Sequence, residues 1–257
     1  MGIELLFSIR GLTKTFPGPI GGPDFVALDG IDLDIIEGET TLIAGANGSG
    51  KTVLMHILAG LLERTKGEIF YKGKPAATAK DLLKGSVGLM FQDADAQILG
   101  ETVEEDIRFG PENLKLPKEE IDKGLEQTLT DLGLAEKRHF TARKLSGGEK
   151  RRLVAAGVLA MGCQAIIMDE PFANLDWPGV VQVLNIIRDL KGKGKTIIIL
   201  THELEKVLAL SDRLTILAEG KIRDWGGPEV VLDRLDPGWG VRDPRRTYRT
   251  AGDCTWL

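Results

Sequence analysis

Apolar and polar positions alternate over residues 27–35, where Ala27, Ile31, Leu33 and Ile35 are interleaved with Gly30, Asp32 and Asp34, which predicts a half-buried antiparallel strand. Residues 41–44, 165–168 and 196–200 are short, almost unbroken apolar runs, which predict strands buried on both faces. Residues 3–9 predict an opening strand, and residues 68–71 and 87–91 predict two more. Residues 214–217 and 221–223 predict a hairpin turning at Glu219 and Gly220. Helical spacing marks Val53, Leu54, Ile57, Leu58, Leu61 and Leu62, and it marks residues 180–190. Two more helices are expected, from 147 to about 160 and from 204 to about 210. Residues 103–143 are charged and helical in pattern, with Pro111 and Pro117 as expected breaks, and have the composition of a small helical subdomain. The Gly- and Pro-rich stretch from Lys14 to Pro19, with Gly21, Gly22 and Pro23 close behind, marks a loop. Strands that alternate with helices from residue 41 onward imply an α/β fold with a mostly parallel sheet, and the strands before them add antiparallel pieces.

The chain is organised around Gly45-Ala46-Asn47-Gly48-Ser49-Gly50-Lys51-Thr52, which fits the phosphate-binding pattern G-x-x-x-x-G-K-[ST] between a strand and a helix. Glycines let backbone N–H groups crowd round phosphate oxygens, and the helix N-terminus adds partial positive charge. Lys51 can reach the β- and γ-phosphates, and the Thr52 hydroxyl can ligate Mg²⁺. The second acidic element is Asp169-Glu170, at the end of a buried strand, where open α/β sheets bind ligands. Asp169 is placed to hold Mg²⁺ and Glu170 to accept a proton from water. Ser146-Gly147-Gly148 opens a helix, a second place for backbone donors to meet an anion.

Composition narrows the partners. A formal net charge of -5 gives no electrostatic case for nucleic acid. The two cysteines, Cys163 and Cys254, form neither a disulfide framework nor a metal-ligand spacing. No signal peptide is apparent, and the longest apolar stretch, 153–168, is broken and short of the ~20 residues a spanning helix needs. A soluble protein is expected, with any link to a membrane running through a partner.

Together with the P-loop and the Asp-Glu pair, Leu145-Ser146-Gly147-Gly148-Glu149 makes the chain resemble the ATP-binding subunit of an ABC transporter, with Glu149 in place of the family's final Gln. The resemblance implies a P-loop NTPase core with a mostly parallel sheet, an N-terminal antiparallel β subdomain and an α-helical signature subdomain. It implies an ATPase domain over 1–230, with the helical subdomain at about 93–155 and a short tail at 231–257. Residue by residue, Gln92 matches the glutamine that contacts Mg²⁺ and the water. His202 matches the histidine that reaches the γ-phosphate. Asn174-Leu175-Asp176 matches the D-loop that crosses a dimer interface, with Ala173-Asn174 departing from the usual residues. Phe16 is the match to the aromatic that stacks on adenine; Phe25, on the far side of the Gly/Pro loop, is the other candidate. The implied nucleotide contacts are therefore Phe16, Asn47, Gly48, Ser49, Gly50, Lys51 and Thr52 in one subunit, and Ser146, Gly147, Gly148 and Asp176 in its partner. The implied Mg²⁺ contacts are Thr52, Gln92 and Asp169.

Phe91-Gln92-Asp93-Ala94-Asp95-Ala96-Gln97, then 102–107 and 109–114, further resemble the energy-coupling-factor importers of cobalt, nickel and vitamins. Implied partners are integral membrane subunits and a second ATPase, as homodimer or heterodimer, at the cytoplasmic face of the cell membrane. Another ABC transporter class, or a non-transport ABC-type ATPase, remains the alternative. A P-loop kinase or GTPase would not need the signature helix or His202, and no coiled-coil heptads of the DNA-repair type intervene. Trp239 and Trp256 are expected to pack the tail against the core or a partner.

Overall fold

The computed structural model describes residues 4–19, 22–82, 87–91 and 93–245; Gln92 and the tail from 246 onward, including Cys254 and Trp256, lie outside them. The chain opens with β1 (Leu5–Phe16) and β2 (Phe25–Ile36), followed by β3 (Thr40–Ala44) and α1 (Lys51–Leu58). Then come β4 (Lys66–Tyr71), β5 (Lys74–Pro75), α2 (Ala79–Leu82) and β6 (Val87–Met90). The helical part holds α3 (Ala94–Gln97), α4 (Val103–Asn113), α5 (Lys118–Asp131) and α6 (Gly147–Ala160). The chain then returns through β7 (Ala165–Asp169), α7 (Trp177–Gly192), β8 (Thr196–Thr201), α8 (Leu204–Val207), β9 (Arg213–Ala218), β10 (Lys221–Gly226) and α9 (Pro228–Asp233).

The strands form a four-stranded sheet, β2-β1-β4-β5, and a six-stranded sheet, β10-β9-β3-β8-β7-β6. The small sheet is antiparallel. The large one is parallel except for the β9–β10 hairpin. Side chains alternate faces along a strand, and here the two faces feed two cores. Leu42, Ala44, Ile166, Met168, Ile197 and Ile199 point to the core shared with α4, α5, α6 and α7. Ile43, Ala165, Ile167, Ile198 and Leu200 point to the core shared with α1 and the small sheet. Unbroken apolar runs are what such doubly covered strands require.

This register positions the site. Ala44, at the end of β3, lies opposite Thr201, and Asp169, at the end of β7, lies opposite Leu200. The P-loop, the Asp-Glu pair and His202 therefore leave one sheet edge side by side. α6 and α7 lie against the same core, so the signature and D-loop segments that open them ride on it too.

Some boundaries differ from the sequence expectation, for physical reasons. The opening strand continues to Phe16, past the turn-like Gly11, because Gly11 adopts a left-handed φ of 57° within an irregular stretch of the β1–β2 ladder. Pro111 does not break α4; it sits inside the last turns of the helix. A proline there forfeits its own bond to the carbonyl four residues back and crowds that carbonyl, but only two helical residues follow Pro111, and Leu114 and Leu116 still donate to the carbonyls of Gly110 and Pro111. Pro117 does mark a boundary, as the residue before α5. Beyond β10, Val231, Leu232 and Val241 are buried in the larger core and Trp239 packs against it. Among the described residues no helix is long and apolar enough to cross a membrane.

Candidate active site

The P-loop curls from β3 into α1. Gly50, immediately before α1, has φ 106°, and a Cβ there would lie 2.8 Å from the Ala27 carbonyl oxygen, so the loop closes against β2 only with glycine. Asn47 and Gly48, at the loop's crest, are exposed, and Ser49 is buried with no hydrogen-bond partner for its hydroxyl. Lys51 is only 6% exposed. Its Nζ donates to the Gly45 and Ala46 carbonyls at 2.7 and 3.2 Å. It also lies 3.5 Å from Glu170 Oε1, close enough for an ion pair but not a hydrogen bond.

The Thr52 hydroxyl donates to Asp169 Oδ2 at 3.2 Å. Asp169 Oδ1 is buried without a hydrogen-bond partner. Burial pushes the Asp169 carboxyl above the usual carboxylate range, the neighbouring Glu170 adds to the rise, and Thr52 and Lys51 oppose it. Glu170 Oε2 accepts from Thr201 Oγ1 at 2.9 Å and lies 3.0 Å from His202 Nδ1. Glu170 is held in the left-handed region at φ 45°, with its N–H bonded to the Leu200 carbonyl at 2.8 Å. For a non-glycine residue this conformation costs about 1–2 kcal/mol. The Thr201 and Lys51 contacts fix where its carboxylate points.

Lys51, Thr52, Asp169, Glu170 and His202 thus converge on one spot. Ser146, Gly147, Gly148 and Asp176 do not join them by any side-chain hydrogen bond or ion pair; they form a second cluster. Ser146 caps α6, with its Oγ accepting from Glu149 N–H at 3.4 Å and its own N–H donating to Glu149 Oε2 at 2.9 Å. The Lys137 ammonium and the Ser146 N–H hold the Glu149 carboxyl down at about 2. The acidic residue in the signature is therefore a helix-capping carboxylate with its own counter-ion, which gives Glu149 a local reason. Asp176 caps α7 by accepting from Gly179 N–H at 2.9 Å. Phe16 is half-buried under the Lys14 ammonium, 4.9 Å from the ring centroid, and faces Phe25 across the β1–β2 ladder. Gln92 lies outside the described residues.

Two contacting residues carry no motif signal. Thr201 holds the Glu170 carboxylate, and its only hint is that it precedes His202. Gln182, on α7, fills the place a Gly148 side chain would take: a Cβ on Gly148 would lie 1.8 Å from Gln182 Oε1. Nothing in the sequence singles it out.

A buried lysine in a glycine loop, an orphaned carboxylate oxygen beside a hydroxyl, and a glutamate bonded to a histidine define a P-loop nucleotide hydrolase. The comparisons agree. Residues 28–173 match the family described as ABC transporter. The energy-coupling factor transporter ATP-binding protein EcfA of Methanocaldococcus jannaschii is 40% identical over 218 residues, covering 83% of this chain and 78% of that one. The cobalt import ATP-binding protein CbiO of Rhodobacter capsulatus is 37% identical over 245 residues, covering 93% and 85%. The structure of CbiO1 from Clostridium perfringens, described as part of the ABC transporter complex CbiONQ, superposes with a TM-score of 0.79 at 33% identity, covering 90% of this chain and 91% of that one. The chain belongs to the ABC transporter ATP-binding proteins and is an ATPase of that family.

Proposed function

We propose that the chain is the ATP-hydrolysing subunit of an energy-coupling-factor importer for a micronutrient, a metal ion or a vitamin. The likeness to EcfA and CbiO over most of the chain supports the transport class. The observation that carries the chemistry is the convergence of Lys51, Asp169, Glu170 and His202 at the ends of three adjacent strands.

In this reading the P-loop cradles the phosphates, with Asn47, Gly48, Ser49, Gly50 and Lys51 as donors and Phe16, beside Phe25, against the adenine. Glu170 orients and deprotonates the attacking water, a step worth about 10²–10⁴ in rate. His202 holds the γ-phosphate and that water in line. Thr52 and Asp169 offer hard oxygen ligands, and Asp169 Oδ1 is buried with no hydrogen-bond partner of its own; with Gln92 they are the residues that would hold Mg²⁺. A Mg²⁺ held there would offset charge on the phosphates.

The second cluster finds its use in a pair of subunits. Ser146, Gly147 and Gly148 close on the γ-phosphate held by the opposite P-loop, with Asp176 at the interface. ATP binding closes the dimer, and loss of the γ-phosphate opens it. The chain then works at the cytoplasmic face of the membrane, seated on integral subunits. An apolar cavity of about 220 Å³, lined by Leu99, Phe109, Val154, Val158 and Met161, suits that seat, with Leu99 and Phe109 exposed at it. The test is a pull-down of the tagged protein from solubilised membranes. Recovery of a small integral subunit together with a substrate-binding membrane protein supports the importer class. Recovery of a conventional permease pair overturns that class and leaves the ATPase standing.

A further inference from the structure

We propose that Thr201 is the residue that keeps the Glu170 carboxylate in place once nucleotide is bound, and that turnover depends on its hydroxyl. The proposal rests on the reading of Glu170 as the base and adds the positioning residue behind it. Thr201 ends β8, the strand that pairs with β3 on one side and β7 on the other. It therefore stands between the strand that leads into the P-loop and the strand that leads into Asp169 and Glu170.

The Thr201 hydroxyl has one proton, and its surroundings aim it. The residue is 0% exposed, so solvent does not compete for the bond. Its Oγ1 accepts from the Glu203 N–H at 3.1 Å. An ionised carboxylate can only accept, so the hydroxyl donates to Glu170 Oε2 at 2.9 Å. One residue earlier, the Leu200 carbonyl accepts from the Glu170 N–H at 2.8 Å. Successive residues of β8 thus grip Glu170 by its backbone and by its side chain.

Two other groups face the same carboxylate. Lys51 Nζ lies 3.5 Å from Oε1, and His202 Nδ1 lies 3.0 Å from Oε2. Both have a second duty in the proposed reaction. The Lys51 ammonium is drawn to the phosphates, and His202, with its side chain 47% exposed, is free to turn to the γ-phosphate. Thr201 sits buried at the strand end and has no such second duty. Its hydrogen bond remains when the other two contacts loosen. It also engages Oε2 and leaves Oε1, which has no hydrogen-bond partner, as the oxygen open to a proton. A base works only within hydrogen-bond reach of the proton it takes, and a misplacement of about 1 Å can cost about 10²-fold in rate.

The test sets single-turnover hydrolysis against equilibrium ATP binding, both with Mg²⁺. Thr201→Val keeps the branched shape and removes the hydroxyl. It lowers the hydrolysis rate roughly 10- to 100-fold and leaves the ATP dissociation constant within about twofold. Thr201→Ser returns most of the rate. Thr201→Ala, which cannot crowd the strand end, loses the same step and so separates the lost hydroxyl from a misfit of Val. In the Glu170→Gln background, Thr201→Val changes the residual rate by less than about twofold, because a hydroxyl that acts through the base has nothing left to position. A role in folding alone would lower the rate in both backgrounds. An equal loss in both backgrounds, or ATP binding lost in step with turnover, overturns the proposal. If the Thr201 variants hydrolyse like the parent while Glu170→Gln does not, the base stands and the positioning role falls. If Glu170→Gln itself hydrolyses like the parent, the base reading falls and takes the role of Thr201 with it.

Discussion

Replacing Glu170 with Gln is the most informative perturbation of the site. The change keeps size and shape and removes one charge, and both side chains tolerate the φ of 45° equally. The Thr201 hydroxyl can still donate to the side-chain oxygen at the 2.9 Å position. What is lost is the acceptor for a proton. General-base catalysis contributes about 10²–10⁴ in rate, so kcat should fall by that much, a rise of roughly 3–5 kcal/mol in the barrier. Folding should suffer far less. At the 3.5 Å between Lys51 and Glu170, Coulomb attraction comes to about 5 kcal/mol at an effective dielectric of 20. Most of this is offset by the desolvation of two largely buried charges, and Lys51 keeps its two carbonyl acceptors. Binding should move the other way, because Glu170 and a phosphate compete for the same ammonium. The variant should bind ATP at least as tightly as the parent. Single-turnover hydrolysis and an equilibrium ATP titration measure the two halves separately. Hydrolysis within threefold of the parent would refute Glu170 as the base. Equal loss of binding and turnover would show that the side chain serves the fold instead.

Two further outcomes follow from the same geometry. Gly148→Ala drives a Cβ into the Gln182 carboxamide, the far end of a flexible side chain that can swing aside at a cost of at most about 1 kcal/mol, so the melting temperature should fall only slightly and ADP binding at the P-loop should not change; adding Gln182→Ala should return that small loss, and a single variant as unstable as a core overpacking would locate the strain elsewhere. Asp169 has a folded pKa above its ordinary value, chiefly through burial, so its ionised form costs stability and the protein without Mg²⁺ should gain from this group as pH falls through that raised value; Mg²⁺-dependent ATP binding should weaken over the same window, and Asp169→Asn should abolish both trends in melting and titration curves.

The P-loop, the Asp-Glu pair and the signature could be read from the sequence because each is short and local. Their glycines, lysine and hydroxyls answer to one turn of backbone, and a strand or helix pattern stands beside each. The central position of β3 was not legible. It arises from pairing with β8 and β9, more than 150 residues away in the chain, and no local pattern encodes that choice. Pro111 misled for a related reason, since a proline's effect depends on how near the helix end it falls. Thr201 and Gln182 act through contacts between elements, which only the folded chain displays. Glu149 was visible as a departure from the signature pattern, yet its reason, the capping of Ser146 and the pairing with Lys137, required the structure.

The central claim is that one subunit's P-loop and the other's signature make one catalytic site. Mixing two inactive proteins tests it most directly. Lys51→Ala removes the P-loop cation, and Ser146→Arg blocks the signature. A mixed dimer holds one site with both defects and one site with neither. An equimolar mixture should therefore regain roughly a quarter of the parent ATPase rate, since half the dimers are mixed and each has one intact site of two. Activity that stays at the level of the separate proteins, while mass analysis shows the mixed dimers forming, would contradict the account.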